Sequence, residues 1–545
     1  MKRLFILIFC IIFIIACKTN SSENNKSVNK SQPFVWEAAN VYFMLTDRFY
    51  NGNESNDVNY DRTKQPAKLR GFMGGDVAGI TQKIKEGYFD DLGVNAIWFS
   101  PVLEQIHDST DEGTGNTYAF HGYWTKDWTS FDANFCTQNE FKELIETAHQ
   151  HGIRILMDVV MNHTGPVTQK DSVWETDWVR TEPSCTYKNY DTAVNCTLVK
   201  NLPDVLTNSE EEVSLPATLV TKWKAEGRYE QETKELTAFF ERTGLKKTPR
   251  NYLIKWLTDY VREYGIDGYR VDTVKHVEEE AWNALSKEAR AAFQAWKKAN
   301  PEAVLDNQDF FMLGELYGYG IDGHRYYDFG DQKVDYYTHG FDNLINFQFK
   351  YDAQKDYEAI FSKYDSILHN ELKGKSVMNY ISSHDDGDPF DKTREKPYES
   401  ATKLLLAPGI SQIYYGDETQ RSLIIEGTNG DATLRSFMNW EAINNPEIKK
   451  ILTHWQKLGQ FRKAHPAIGA GKHTMISQSP YVFSRTFNTD KVVIGLNLPK
   501  GVKEISLGNQ FEDGIEITDQ YSGKTAVVID GKVTIDSEFS IVLLH

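Results

Sequence analysis

The 545-residue chain carries a formal charge of -17, and 40% of it is hydrophobic. That balance excludes a nucleic-acid partner, whose phosphates an acidic surface repels, and the length excludes a single small domain. The 13% aromatic content, with 12 Trp and 28 Tyr, suits stacking against flat partners such as sugar rings and suits a core equally well.

The chain opens MKRLFILIFCIIFIIAC, a short basic start followed by an apolar run over residues 4–16. That run is too short to span a bilayer comfortably, so residues 1–16 read as an export signal. Ile14-Ile15-Ala16-Cys17 resembles the box of bacterial lipoprotein signals. The resemblance implies a lipid on Cys17 and an anchor in a bacterial membrane, on its periplasmic or cell-surface side; a plain signal peptide and an uncleaved anchor are the alternatives. Residues 17–33 lack an apolar pattern and read as a flexible tether.

From residue 34 onward, short apolar segments alternate with amphipathic ones. VYFML (41–45), AIWF (96–99), IRILMDVV (153–160), DGYRV (267–271), FMLGE (311–315), VMNYI (377–381) and SQIYY (411–415) read as buried strands. An eighth is expected from DQKVDYYT or LINFQF, between 316 and 350. NEFKELIETAHQHG (139–152) and NYLIKWLTDYVREYG (251–265) read as helices, each ending at a glycine that can cap it. This alternation predicts a mostly parallel sheet covered by helices, an α/β fold. Residues 164–245 look like an irregular, polar excursion. They contain Cys185 and Cys196, which flank a short polar loop and are expected to pair in an exported chain; Cys136 is left as a buried thiol. After residue 465 the alternating segments YVFSRTF, KVVIGLNL, TAVVID and FSIVLL predict a C-terminal antiparallel β-sandwich, 466–545.

Charge collects where the strands end. Asp158, Asn162 and His163 follow the third, Arg270 and Asp272 close the fourth, Glu315 closes the fifth, and His384 and Asp385 lie beyond the seventh. In a closed (β/α)8 barrel all these ends open onto one face. Arg270 and Asp272 are two apart on a strand and share a face, and a guanidinium favours an ionised carboxylate. Glu315 has no basic residue adjacent in the sequence and is expected to hold a proton. One ionised and one protonated carboxyl group facing each other is the arrangement that cleaves a glycosidic bond.

DVVMNH (158–163), GYRVDTVKH (268–276), GELY (314–317) and SSHDD (382–386), in that order and with LPDV (202–205), resemble the motifs of the α-amylase family of glycoside hydrolases. The resemblance implies a TIM barrel over 34–163 and 246–465, with domain B (164–245) inserted after the third strand. It makes Asp272 the nucleophile, Glu315 the general acid/base and Asp385 the third carboxylate. Arg270 is the nucleophile's partner; His121, Tyr123, His163 and His384 line the −1 subsite, and Lys275 reaches the +2 side. It also implies a structural calcium between barrel and domain B, on Asn162, Asp204 and the His276 carbonyl, since oxygen donors from distant loops suit a hard cation. NGNESND (51–57) resembles a further calcium loop of some bacterial members, with Asn51, Asn53, Asn56, Asp57, the Gly74 carbonyl and Asp76 as ligands. Asn51 stands where aspartate is usual, and a turn-rich loop without metal is the alternative.

The activity implied is hydrolysis of internal α-1,4 bonds of starch, glycogen or maltodextrins with retention. A glucanosyltransferase is the runner-up; its cyclodextrin-forming relatives usually carry further domains, for which the roughly 80 residues after 465 are expected to leave no room. A non-catalytic glucan-binding lipoprotein is a distant third. No oligomeric state follows from the sequence.

Overall fold

The structure, a computed structural model, describes residues 33–545. The export signal, Cys17 and residues 17–32 of the tether lie outside the described residues. Eight parallel strands close a barrel in simple chain order: β1 (Asn40–Met44), β2 (Ala96–Phe99), β3 (Arg154–Val159), β4 (Gly268–Val271), β5 (Phe311–Gly314), β6 (Asn343–Asn346), β7 (Ser376–Tyr380) and β8 (Ile410–Tyr414). Every residue of these strands is buried. That is why they read as near-continuous apolar runs rather than alternating ones. β1 shuts the ring by pairing with β8, Asn40 opposite Ser411, and with β2, Val41 opposite Ala96.

The covering helices follow from their sequence patterns. In α1 (Gln138–Gln150), Phe141, Leu144, Ile145 and Ala148 form the buried stripe, and Thr137 with Glu140 makes a capping box. α2 (Pro249–Tyr264) starts with proline and ends at Gly265, whose φ of 73° is the left-handed cap. A Cβ on Gly265 would sit 2.0 Å from the Trp296 ring, so glycine is required there by both backbone and packing.

LINFQF, not DQKVDYYT, supplies the sixth strand. Asn343–Asn346 is wholly buried, whereas Lys333–Val334 is half of a small hairpin with Tyr327–Asp328 outside the barrel. The excursion at 164–245 is less irregular than its composition suggests. Its first part holds only a short strand pair, Val179–Arg180 with Asp204–Val205, and a single-turn helix, but helices run over Ala217–Ala225 and Tyr229–Thr243. Leu219, Trp223, Leu236, Phe239 and Phe240 are their buried residues, spaced three or four apart within each helix and diluted by charge. Cys185 and Cys196 are disulfide-bonded and Cys136 is a buried free thiol.

Beyond the long helix α3 (Pro446–Ala464), a six-stranded antiparallel sheet lies against a two-stranded ribbon. Val482, Val493 and Val542 of the sheet share one apolar core with Ile505, Val533 and Ile535 of the ribbon. Among the described residues, no helix is long and apolar enough to cross a membrane.

Candidate active site

The strand ends converge on Arg270. It stands on β4 in register with Asp158 of β3 and Leu313 of β5, so its guanidinium can reach acids from both sides. Its Nη1 donates to Asp158 Oδ1 and to Asp272 Oδ1, each at 2.9 Å, and its Nη2 lies 3.1 Å from Glu315 Oε1. Arg270 is only 1% exposed, with its charge over the Trp98 and Tyr123 rings. Asp158, which the sequence marks without a role, also accepts from Trp98 Nε1 (2.9 Å) and Tyr123 Oη (2.8 Å). It anchors the arginine from behind.

The expectation that Glu315 lacks a basic neighbour is corrected here. Its neighbour comes from the adjacent strand, where linear sequence does not reveal it. The inference about its proton survives for a different reason. Burial drives Glu315 well above the usual carboxylate range; Arg270 opposes the rise, and the charges of Asp272 and Asp385 add to it. The Thr273 N–H donates to its other oxygen at 2.9 Å. Asp385 is partly open to the cleft and is also raised, by its enclosure, against the pull of Arg270 and Arg435. Asp386 behind it is tied to the Lys350 ammonium and accepts from Tyr380 Oη at 2.5 Å.

Tyr123 is the hub of the opposite wall. Its ring is near-parallel to His121 (19°) and to His384 (20°), with centroids 5.9 and 5.4 Å away. Its N–H donates to His121 Nδ1 at 3.1 Å, and its carbonyl accepts from His163 Nε2 at 3.0 Å. Burial holds all three histidines below the usual imidazole value, with Arg435 adding to the effect at His121 and His384. They are neutral donors and acceptors at neutral pH. Lys275 lies at one end of the cleft, its Nζ donating to the Tyr317 carbonyl (3.2 Å) and Tyr327 Oη (3.3 Å), with the rings of Tyr187, Tyr317 and Tyr327 around it.

These groups line a cleft of about 580 Å³, which brings together all nine residues assigned to catalysis and substrate except the buried Arg270 beneath its floor. The sequence reading missed the far edge. Arg435 Nε donates to the His384 carbonyl at 2.9 Å, and Asp431 bridges Arg435 (2.5 Å) to Arg70 (2.9 Å). An Asp and an Arg four apart, shortly after the last barrel strand, were the available signal.

Among the described residues, no three His, Cys, Asp or Glu side chains converge as metal ligands. Sites built from amides and carbonyls are of a different kind. The Asn162 side-chain amide lies 3.0 Å from the His276 carbonyl and 3.1 Å from Asp204 Oδ1, and turned with its nitrogen towards them it hydrogen-bonds both. With the amide oxygen turned inward instead, three oxygens face one another and a cation would sit between them, beside the Arg180 Nε that pairs with Asp204 Oδ2 at 2.7 Å. The donor set fits a hard cation. His276 is held by its ring, Nδ1 donating to the Ala193 carbonyl at 2.8 Å inside the disulfide loop.

At the 51–57 loop the residues also gather, but some are already engaged. Asp76 accepts from the N–H groups of Gly52, Asn53 and Gly79 and from Asn56 Nδ2, which makes it a helix N-cap. Asn51 Nδ2 donates to both oxygens of Asp57, while the buried side-chain oxygens of Asn51 and Asn56 have no partner. Those two orphaned acceptors, with Asp57 beside them, fit a cation more weakly than the Asn162 set does. A Cβ on Gly74 would meet the Asn51 amide at 2.6 Å, so the loop closes tightly on that glycine.

Comparison with known proteins gives a family match over residues 43–447, to "Alpha amylase, catalytic domain". The chain is 38% identical over 526 residues to a periplasmic alpha-amylase of Escherichia coli (strain K12), covering 85% of this chain and 72% of that protein. It is 26% identical over 476 residues to a cyclomaltodextrin glucanotransferase of Thermoanaerobacterium thermosulfurigenes, covering 84% of this chain but 59% of that one. Two solved structures share the fold. An Anoxybacillus alpha-amylase has a TM-score of 0.65 at 24% identity, covering 94% of this chain and 99% of that one. A cyclomaltodextrin glucanotransferase with a three-domain ABC distribution has a TM-score of 0.66 at 20% identity, covering 93% of this chain and 98% of its own.

Proposed function

The chain belongs to the α-amylase family of glycoside hydrolases, and from that premise we propose that it is a retaining, endo-acting α-amylase. It hydrolyses internal α-1,4-glucosidic bonds of starch, glycogen or maltodextrins by double displacement. The observation that carries this reading is the pair of acids on one guanidinium, Asp272 and Glu315 on Arg270. Asp272 attacks the anomeric carbon while Glu315 gives its proton to the departing oxygen. Glu315 then takes a proton from the water that breaks the Asp272–sugar ester, and so regains its starting state. Asp385 grips ring hydroxyls, and Tyr123, with the neutral His121, His163 and His384, holds the −1 sugar. Lys275 contacts the next sugars on the leaving side.

The meeting of Asn162, Asp204 and the His276 carbonyl from three segments supports a calcium that ties the insert to the barrel, with the Asn162 oxygen turned inward. A calcium on Asn51, Asn53, Asn56, Asp57, Gly74 and Asp76 is a second, weaker proposal, supported by the two orphaned amide oxygens. The ion's contribution is structural. Export with a lipid on Cys17 is proposed from the signal, and the disulfide is consistent with an oxidising compartment. The mass of the mature N-terminus tests the lipid.

Transfer to a sugar hydroxyl instead of water is the second reading, favoured by the glucanotransferase relatives. Because one of them has a three-domain layout, the brevity of the chain after the barrel carries no weight against it. Products from maltoheptaose decide. We expect short linear maltooligosaccharides released as α-anomers; longer or cyclic products would establish transfer, and an unchanged substrate would leave only binding.

A further inference from the structure

A second cleft, about 1040 Å³ against about 580 Å³ at the carboxylates, runs along the seam between barrel and C-terminal sheet. Four rings follow one another along it. Tyr398 and His454 come from the barrel helices, Tyr521 and Phe539 from loops of the sheet, with successive centroids 5.1, 5.8 and 5.0 Å apart. The inner two are fixed, His454 Nδ1 sharing a hydrogen bond of 2.8 Å with Tyr521 Oη. The outer two are partly exposed, Tyr398 45% and Phe539 40%. Successive rings along the row are inclined at 57°, 67° and 79°, with the Lys457 ammonium 4.7 Å from the Phe539 centroid. Across the cleft, Tyr357 and Tyr481 lie near-parallel at 10°, and Tyr481 Oη donates to Glu358 at 2.8 Å.

The rim is polar and mostly acidic, with Asp356, Glu358, Glu399 and Glu538 against Lys403 and Lys500, Lys403 being paired with Glu399 at 2.6 Å. Glu399 and Glu358 are already engaged, the first by Lys403 and the second by Tyr481 and His473. Such a rim repels polyanions, and an apolar ligand would cover Asp356 and Glu538 without offering them hydrogen bonds. A neutral chain of pyranose rings satisfies both parts, its C–H faces on the aromatic rings and its hydroxyls on the acids and amides. We propose that this seam is a second α-glucan-binding site, separate from the catalytic cleft, which holds one stretch of a polymer while another is cut. The α-amylase reading enters only in choosing α-glucan as the probe.

The test compares Tyr398→Ala/Phe539→Ala with the parent in the full chain, both carrying Asp272→Asn so that the polymer is not digested. Migration through native gels containing amylopectin is the readout. We expect retardation weakened about fivefold to tenfold, the loss seen when aromatic anchors of an interface are truncated. Without Asp272→Asn, turnover of maltoheptaose should stay within about twofold, as for surface changes remote from a site. Tyr398→Trp should restore retardation, which a purely structural role for that ring would not produce. Should the double variant melt early, Tyr398→Ala alone, at the more exposed ring, is read in the same gels. Equal retardation of folded variant and parent overturns the proposal. So does a parent that amylopectin fails to retard, while the maltoheptaose assay still judges the catalytic reading separately.

Discussion

Arg270 contacts three carboxyl groups from neighbouring strand ends with a single positive charge, and the chemistry at each depends on which keeps its proton. Asp272→Asn removes only the attacking charge, in a volume that asparagine fills. It should abolish nearly all reducing-sugar release while leaving the circular dichroism spectrum intact, and activity within about tenfold of the parent would sink the nucleophile assignment. Glu315→Gln should slow natural glucans by about 10²–10⁴ but spare the first step on an aryl α-maltoside, whose leaving group needs no proton. Equal pre-steady-state losses on both substrates would reduce Glu315 to a positioning group. Because its proton is retained above the usual carboxylate range, kcat/KM should fall on the alkaline side as that proton leaves. Glu315→Gln should flatten this limb. At this scale the sequence was readable wherever a partner lay two residues away on the same strand, as Asp272 does from Arg270. It was silent where the partner came across the sheet, as Arg270 does to Glu315.

The strands were legible as elements because burial on both faces makes them short apolar words, and their polar ends stood out against that background. The helices at Ala217–Ala225 and Tyr229–Thr243 were not, since each buries only a few apolar residues among charged ones and the eye takes such a stretch for loop. The same insert supplies Asp204 and Ala193, one facing Asn162 and the other gripping His276. Three separate segments therefore meet where the first calcium is proposed, and an ion bound only by the folded state adds to stability by mass action. Excess chelator should lower the melting temperature, and added calcium should restore it. Identical melting curves in calcium and in chelator would count against both proposed sites. The arrangement of these oxygens could be inferred only from motif order, because the contacts that create it span loops more than forty residues apart.

The barrel and the C-terminal sheet are joined through buried imidazoles. His454 accepts or donates to Tyr521, Thr402 and the Tyr398 carbonyl, and burial, with Lys457 nearby, pushes it down to about 4. His473, paired with Glu358, is likewise pushed down to about 4, by burial and then Arg485. Both bind a proton more readily when unfolded. Their contribution to stability is therefore complete above the ordinary imidazole value and is lost as pH falls from about 6.5 towards 4. The melting temperature should drop across that window, and His454→Gln should shrink the drop; an unchanged pH profile in that variant would remove His454 from the account. Closure of the barrel has a consequence in time. β1 pairs with β8, whose residues follow it by roughly 370 positions, so at about 5–20 residues per second its outer edge waits on the order of 20–70 s for a partner during synthesis. Such an edge invites pairing with other chains. A nascent chain arrested before residue 410 should therefore need a chaperone to stay soluble, and an arrested chain that remains soluble and resists protease unaided would refute this. By the end of that interval Asp272, Glu315 and Asp385 have all been made, but the ring that aims them is still open.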